Sequence, residues 1–128
     1  MKAIQRIAFS ALTMIAAAAH ASGAQVTYLS CNLPAHEEVA ARHFDFVLDE
    51  ANSTVSFFVK EANATNKEDA VFGAETVTWS NPIPYGKLTR TINRVDLTYT
   101  EDFQINGAAS HLIGGTCSIV KKPSLRKF

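Results

Sequence analysis

Four histidines and two cysteines carry most of the chemistry this chain could perform. His20 falls in an N-terminal stretch that reads as a leader, which leaves His36, His43 and His111. The spacing His43-x-Asp45 puts an imidazole and a carboxylate on one face of a strand, which is half of a metal site. No third ligand stands at a recognisable distance from them. Phe44 and Phe46 claim the opposite face of that strand, so the pair is expected on the solvent side. A nucleophilic serine would need a turn of the Gly-x-Ser-x-Gly kind, and Gly107-Ala-Ala-Ser110 lacks the second glycine. The carboxylate doublets Asp49-Glu50 and Glu101-Asp102 join adjacent residues, whose side chains point to opposite faces of a strand. No glycine-rich phosphate loop is present. The expectation is therefore no catalytic residue, no metal, no cofactor and no enzymatic activity.

The cysteines point elsewhere. Lys2 and Arg6 precede a nearly uncharged apolar run, Ile7 to Ala19, followed by the small-x-small triplet Ala19-His20-Ala21. This is the pattern of a signal peptide over residues 1–21, with an alternative cut after Ala24. The run is about 13 residues, short of the roughly 20 that a spanning helix needs. Cys31 as a lipidated cysteine is disfavoured by polar residues 22–27, by the bulk of Tyr28 and by the partner it would deny Cys117. An exported chain, periplasmic or secreted, is expected to join Cys31 to Cys117. Neither C-x-x-C spacing nor a helix start marks them as redox-active.

Removing Lys2 and Arg6 from twelve basic residues leaves ten against twelve acidic ones, a net charge near −2. Lys121, Lys122, Arg126 and Lys127 form a basic tail over 121–128, so residues 22–120, read as a single domain, are near −6. An acidic body excludes nucleic acid as the expected partner. The short tail reads as solvated charge.

The body reads as all-β. Phe44, Phe46 and Leu48 alternate with Asp45, Val47 and Asp49, and Val55, Phe57 and Val59 continue the pattern after a turn at 49–52, giving a hairpin. Val26–Cys31 is a first strand. Glu61–Asp69 is polar and expected as a loop, Val71–Trp79 as one strand, and Ser80–Gly86, with Pro82 and Pro84, as a break. Lys87–Thr100 should hold two strands meeting near Asn93-Arg94. Asn106-Gly107 marks a turn, and His111–Val120 a last strand interrupted at Gly114-Gly115 by a bulge or tight bend. Only Ala35–Arg42 has helical character. The fold class expected is a small antiparallel barrel or sandwich of seven to eight strands with at most one short helix, as a monomer.

Phe44, Phe46, Phe57, Phe72, Trp79, Tyr99 and Phe103 are expected to fill the core. A cavity for a small apolar ligand is the alternative use of such residues. Tyr85, between Pro84 and Gly86, is a candidate contact residue in an exposed loop, and His111 and the Glu61–Asp69 loop are further binding candidates. Asn52-Ser-Thr54 and Asn63-Ala-Thr65 match the glycosylation acceptor pattern. The terminal Phe128 is not preceded by an alternating apolar strand of the outer-membrane type, and the body strands are too short and polar to span.

The ordered set Cys31, Phe44-Asp-Phe-Val-Leu-Asp-Glu50, Trp79, Thr91-Ile-Asn-Arg94 and Gly115-Thr-Cys117 resembles small exported bacterial β-proteins of uncharacterised function. The resemblance spans nearly all of the chain behind the leader and carries no catalytic residue. In outline the chain is also similar to periplasmic lysozyme inhibitors, which are small disulfide-bearing β-barrels. Where these have a Ser-Gly-x-x-Tyr loop, this chain reads Ser110-His-Leu-Ile-Gly114. The resulting expectation is a non-enzymatic exported domain that binds a protein or envelope component. A ligand carrier and a lysozyme-type inhibitor are the alternatives.

Overall fold

The computed structural model describes residues 25–122. Residues 1–24, on which the expected signal peptide falls, and Pro123–Phe128 of the expected basic tail lie outside it. Nine strands form one sheet: β1 (Val26–Leu33), β2 (Arg42–Asp49), β3 (Thr54–Val59), β4 (Ala64–Asp69), β5 (Val71–Phe72), β6 (Thr76–Ile83), β7 (Gly86–Asn93), β8 (Thr98–Ile105) and β9 (His111–Val120). All pairings are antiparallel, in the order β4-β3-β2-β1-β9-β8-β7-β6-β5. The two ends of that order, β4 and β5, are separated in the chain by Ala70 alone. The sheet must therefore curl until its ends meet, which makes it a nearly closed barrel.

The seven or eight strands expected from sequence become nine, for two reasons. The segment expected as a loop at 61–69 contains β4. It is polar on both faces, so no burial pattern marks it, yet it pairs residue by residue with β3 from Thr54↔Asp69 to Val59↔Ala64. The run expected as one strand at 71–79 is cut by a turn at Gly73–Glu75 into β5 and β6. β6 then continues through the expected break to Ile83. Pro82 is tolerated there because β5 covers only Thr78 and Val77, leaving the far half of β6 as an edge. No helix forms at Ala35–Arg42. His36 and Val39 instead exchange two backbone hydrogen bonds of 2.9 and 2.8 Å, with Glu37 at φ 51°. That segment offers no apolar stripe to pack, so helical propensity alone does not decide it.

Alternation sets the interior. Leu29, Cys31, Leu33, Phe44, Phe46, Leu48, Val55, Phe57, Val77, Trp79, Ile92, Tyr99 and Ile113 are buried, each on the inward phase of its strand. Five rings form the central layer, with centroids 5.0 Å apart for Phe46 and Tyr99 and 6.5 Å for Trp79 and Tyr99. Each such side chain taken from water contributes about 1.5–3 kcal/mol.

Cys31 and Cys117 are bonded, directly opposite one another in the β1–β9 ladder with Cα atoms 4.0 Å apart. The Cys117 N–H donates to Leu97 O (2.7 Å) rather than across the pair. This is the closer, non-hydrogen-bonded kind of antiparallel pair, which suits a cross-strand disulfide. The staple joins the first and last strands, 86 residues apart, consistent with an oxidising compartment. Among the described residues no helix is long and apolar enough to cross a membrane.

Candidate functional site

Strand directions place four connections at one end of the barrel: 34–41, 60–63, the Pro84-Tyr85 turn and 106–110. The pairs Leu33↔Arg42, Phe44↔Val59, Ile83↔Gly86 and Phe103↔His111 lie at their bases. This loop end gathers the residues that the sequence marks for binding. Tyr85 caps the β6–β7 hairpin, and its carbonyl accepts a 2.7 Å hydrogen bond from the Asn106 N–H, tying two hairpin tips together. His111 opens β9 beside them and is exposed. Glu61 is also here, and the His43 backbone N–H donates to its Oε2 at 3.0 Å. That bond is the main reason its carboxyl titrates below the usual carboxylate range. Of the segment 61–69, only the first residues belong to this end, because β4 carries the rest away down the barrel wall.

Tyr85 is conformationally unusual. It is 83 % exposed and sits at φ 63°. A turn with proline second and a positive φ third is the type II pattern, whose third position favours glycine or asparagine. A bulky residue there costs about 1–2 kcal/mol in backbone strain, and this side chain recovers almost nothing through burial.

Beneath the loop end lies a polar cluster at positions that otherwise face the core. Glu101 is fully buried. Its Oε1 accepts from Arg42 Nη2 at 2.5 Å, and its Oε2 accepts from the Tyr99 hydroxyl at 2.8 Å and from Arg90 Nε at 3.4 Å. Arg90 also donates to the Tyr99 oxygen at 3.0 Å and to Asn81 Oδ1 at 3.2 Å. The guanidinium of Arg42 lies 5.5 Å from the Phe44 ring centroid and that of Arg90 5.1 Å from Phe57. The cluster is thus a plug set on the aromatic layer. Burial first, and then the Glu101 charge, push the Tyr99 hydroxyl far above its ordinary pKa. Sequence reasoning passed over these residues, although the signal was there: Glu101 falls between Tyr99 and Phe103, and Arg90 between Leu88 and Ile92, on the inward phase.

His43 lies on the outer face of β2, as expected. Its Nε2 is 3.2 Å from both Asp45 Oδ1 and Ser30 Oγ, and its Nδ1 is 2.6 Å from Asn32 Oδ1. Serine, imidazole and amide stand in the order of a nucleophile, its base and an orienting group. Two features oppose that chemistry. Asp45 competes for the nitrogen that would accept the serine proton. β1 is also paired on both sides, so its backbone N–H groups are taken up by ladders rather than offered to an oxyanion. Among the described residues no three His, Cys, Asp or Glu side chains converge to hold a metal ion.

Two depressions mark the outer wall. One, of about 430 Å³, runs over β1–β3 and includes Tyr28, Asp45, Val47, Phe58, Val120 and Lys122. The other, of about 450 Å³, lies over β8 and β9 and includes Pro34, Thr98, Thr100, Gly114 and Thr116. The chain matches no family model, no curated protein and no solved structure.

Proposed function

We propose that this chain is an exported, non-enzymatic binding module whose loop end engages another protein or an envelope component. The observation that carries this reading is Tyr85, a large aromatic held almost fully exposed in a backbone conformation that disfavours it. Strain kept where it gives the fold nothing in return points to a role outside folding. Exposed tyrosine is also a residue type concentrated at binding hot spots. The neighbouring 106–110 hairpin and His111 widen the same surface.

The carrier reading is less favoured, because five rings and an ion-paired plug occupy the barrel interior. The test is to immobilise the oxidised exported chain beside its Tyr85→Gly variant and expose both to envelope extract. A component retained by the native chain and lost from the variant supports the proposal, and inhibition of lysozyme activity would identify that component as a hydrolase. Equal retention on both surfaces, or none on either, refutes it.

A further inference from the structure

The plug beneath the loop end holds more donors than the fold gives acceptors. Arg42 and Arg90 each bring a positive charge and five N–H donors. Glu101 is the one carboxylate between them, and Asn81 Oδ1 and the Tyr99 oxygen are the other acceptors. The Tyr99 hydroxyl donates its own proton to Glu101. Two guanidiniums against one carboxylate leave a single net positive charge. Neutralising a buried Glu101 needs only one arginine, so the fold does not account for the second charge.

The unused donors can be located. Arg42 Nη2 and Arg90 Nε hold opposite oxygens of Glu101, and Arg90 Nη1 donates to Asn81. Arg42 Nε is buried without an acceptor, out of reach of any ligand. Left over are Arg42 Nη1 and Arg90 Nη2, which have no acceptor among the described residues. Their side chains keep 22 % and 16 % of their exposure. The aromatic layer closes the barrel below them, so this open edge faces the loop end. The exposed carboxylates and amines around that end are Glu37, Glu38 and Glu61 against Lys60 and Lys87. The positive charge therefore belongs to the plug and not to the rim.

Such a site selects an anion, because a cation is repelled and a neutral group leaves the charge uncompensated. One carboxylate cancels it, whereas a phosphate ester carries up to twice that charge. Carboxylate oxygens also match the planar N–H edges of guanidinium. We propose that the mouth of the barrel is a carboxylate site, formed by the outer amino groups of Arg42 and Arg90. The inference rests on the loop-end reading for the source of the group, an aspartate or glutamate side chain of the bound partner. A free small carboxylic acid is the other source of the same chemistry.

The test is titration of the ¹⁵N-labelled oxidised chain with acetate and with a short blocked peptide holding one glutamate. Saturable shifts are expected at the side-chain N–H signals of Arg42 and Arg90. Tighter binding of the peptide identifies a side chain as the source, and equal or tighter binding of acetate identifies a free acid. Arg42→Gln keeps an amide for Glu101 but removes the net charge, and should weaken binding at least tenfold. Tyr85→Gly should leave these titrations unchanged, so the site can stand if the loop-end reading falls. Equally, no carboxylate binding beside Tyr85-dependent retention of an envelope component would sink the site alone. No saturable shift, the same shifts from sodium chloride at equal ionic strength, or undiminished affinity in Arg42→Gln would overturn the assignment. The native-chain titration with its chloride control decides the matter even if the variant folds poorly.

Discussion

Replacing Glu101 with glutamine keeps the volume of the side chain and one acceptor, but removes the carboxylate that two arginines share. Breaking a buried ion pair by deleting one partner costs about 3–5 kcal/mol, because the remaining charge stays without compensation. Here Arg42 and Arg90 keep 22 % and 16 % of their side-chain exposure, so water relieves part of that penalty. Glutamine also retains a neutral hydrogen bond. The expected loss is therefore at the low end, about 2–3 kcal/mol. For a domain of about a hundred residues this lowers Tm by roughly 10–20 °C. Glu101→Leu leaves the Tyr99 hydroxyl and both guanidiniums without the acceptor and should reach about 4–5 kcal/mol. The assay is urea unfolding of the oxidised protein at pH 7, in which the midpoint should fall while the slope is retained. Arg42→Met added to Glu101→Leu should recover part of the loss, a coupling of about 0.5–3 kcal/mol. If both single variants lose less than about 1 kcal/mol, the cluster is not the plug described above and the reasoning fails.

Three further outcomes follow from the same geometry. The raised pKa of Tyr99 means that above about pH 10 an unfolded tyrosine releases a proton that the folded one keeps, so stability is full below that pH and falls as pH rises, by about 1.4 kcal/mol per unit. Tyr99→Phe should remove this alkaline slope in pH-dependent denaturation, and an unchanged slope would contradict the assignment. Reducing Cys31–Cys117, or changing both to alanine, should cost up to about 4.6 kcal/mol by loop-closure entropy. Chemical unfolding of oxidised and reduced protein measures it, and a difference under about 1 kcal/mol would mean that the ladder already holds β1 to β9. Arg94→Ala breaks the paired contacts to Glu50 (2.9 and 3.3 Å) and the bond to Gly73 O. These groups are partly solvated, so the thermal-shift loss should stay near 1 kcal/mol or below.

What the sequence made legible was burial. Phe44, Phe46 and Leu48 alternate strictly, and the structure puts all three inside. Cys31 and Cys117 were the only available pair, and they meet. What it hid was pairing without burial: β4 holds its extended form by its ladder to β3, and nothing in Ala64–Asp69 alternates in polarity. The near-closure of the sheet was equally hidden, since it depends on Ala70 being the whole connection between the two ends of the strand order. Glu101 and Arg90 stood at inward positions in plain view. Their meaning needed a second arginine-bearing strand, β2, whose Arg42 lies 59 residues from Glu101 in the chain. Tyr85 was legible as an exposed loop residue, but not as a strained one, because its positive φ follows from a turn that the proline pattern only suggests.

The central claim is that the loop end works through a residue the fold would be better without. It is tested most directly by measuring stability and binding together on Tyr85→Gly. Relief of the left-handed strain, partly offset by the greater freedom of glycine in the unfolded chain, predicts a gain of about 0.5–1 kcal/mol. The same variant should lose the retained envelope component. A variant that is less stable than the native chain, or one that binds as well, would contradict the account.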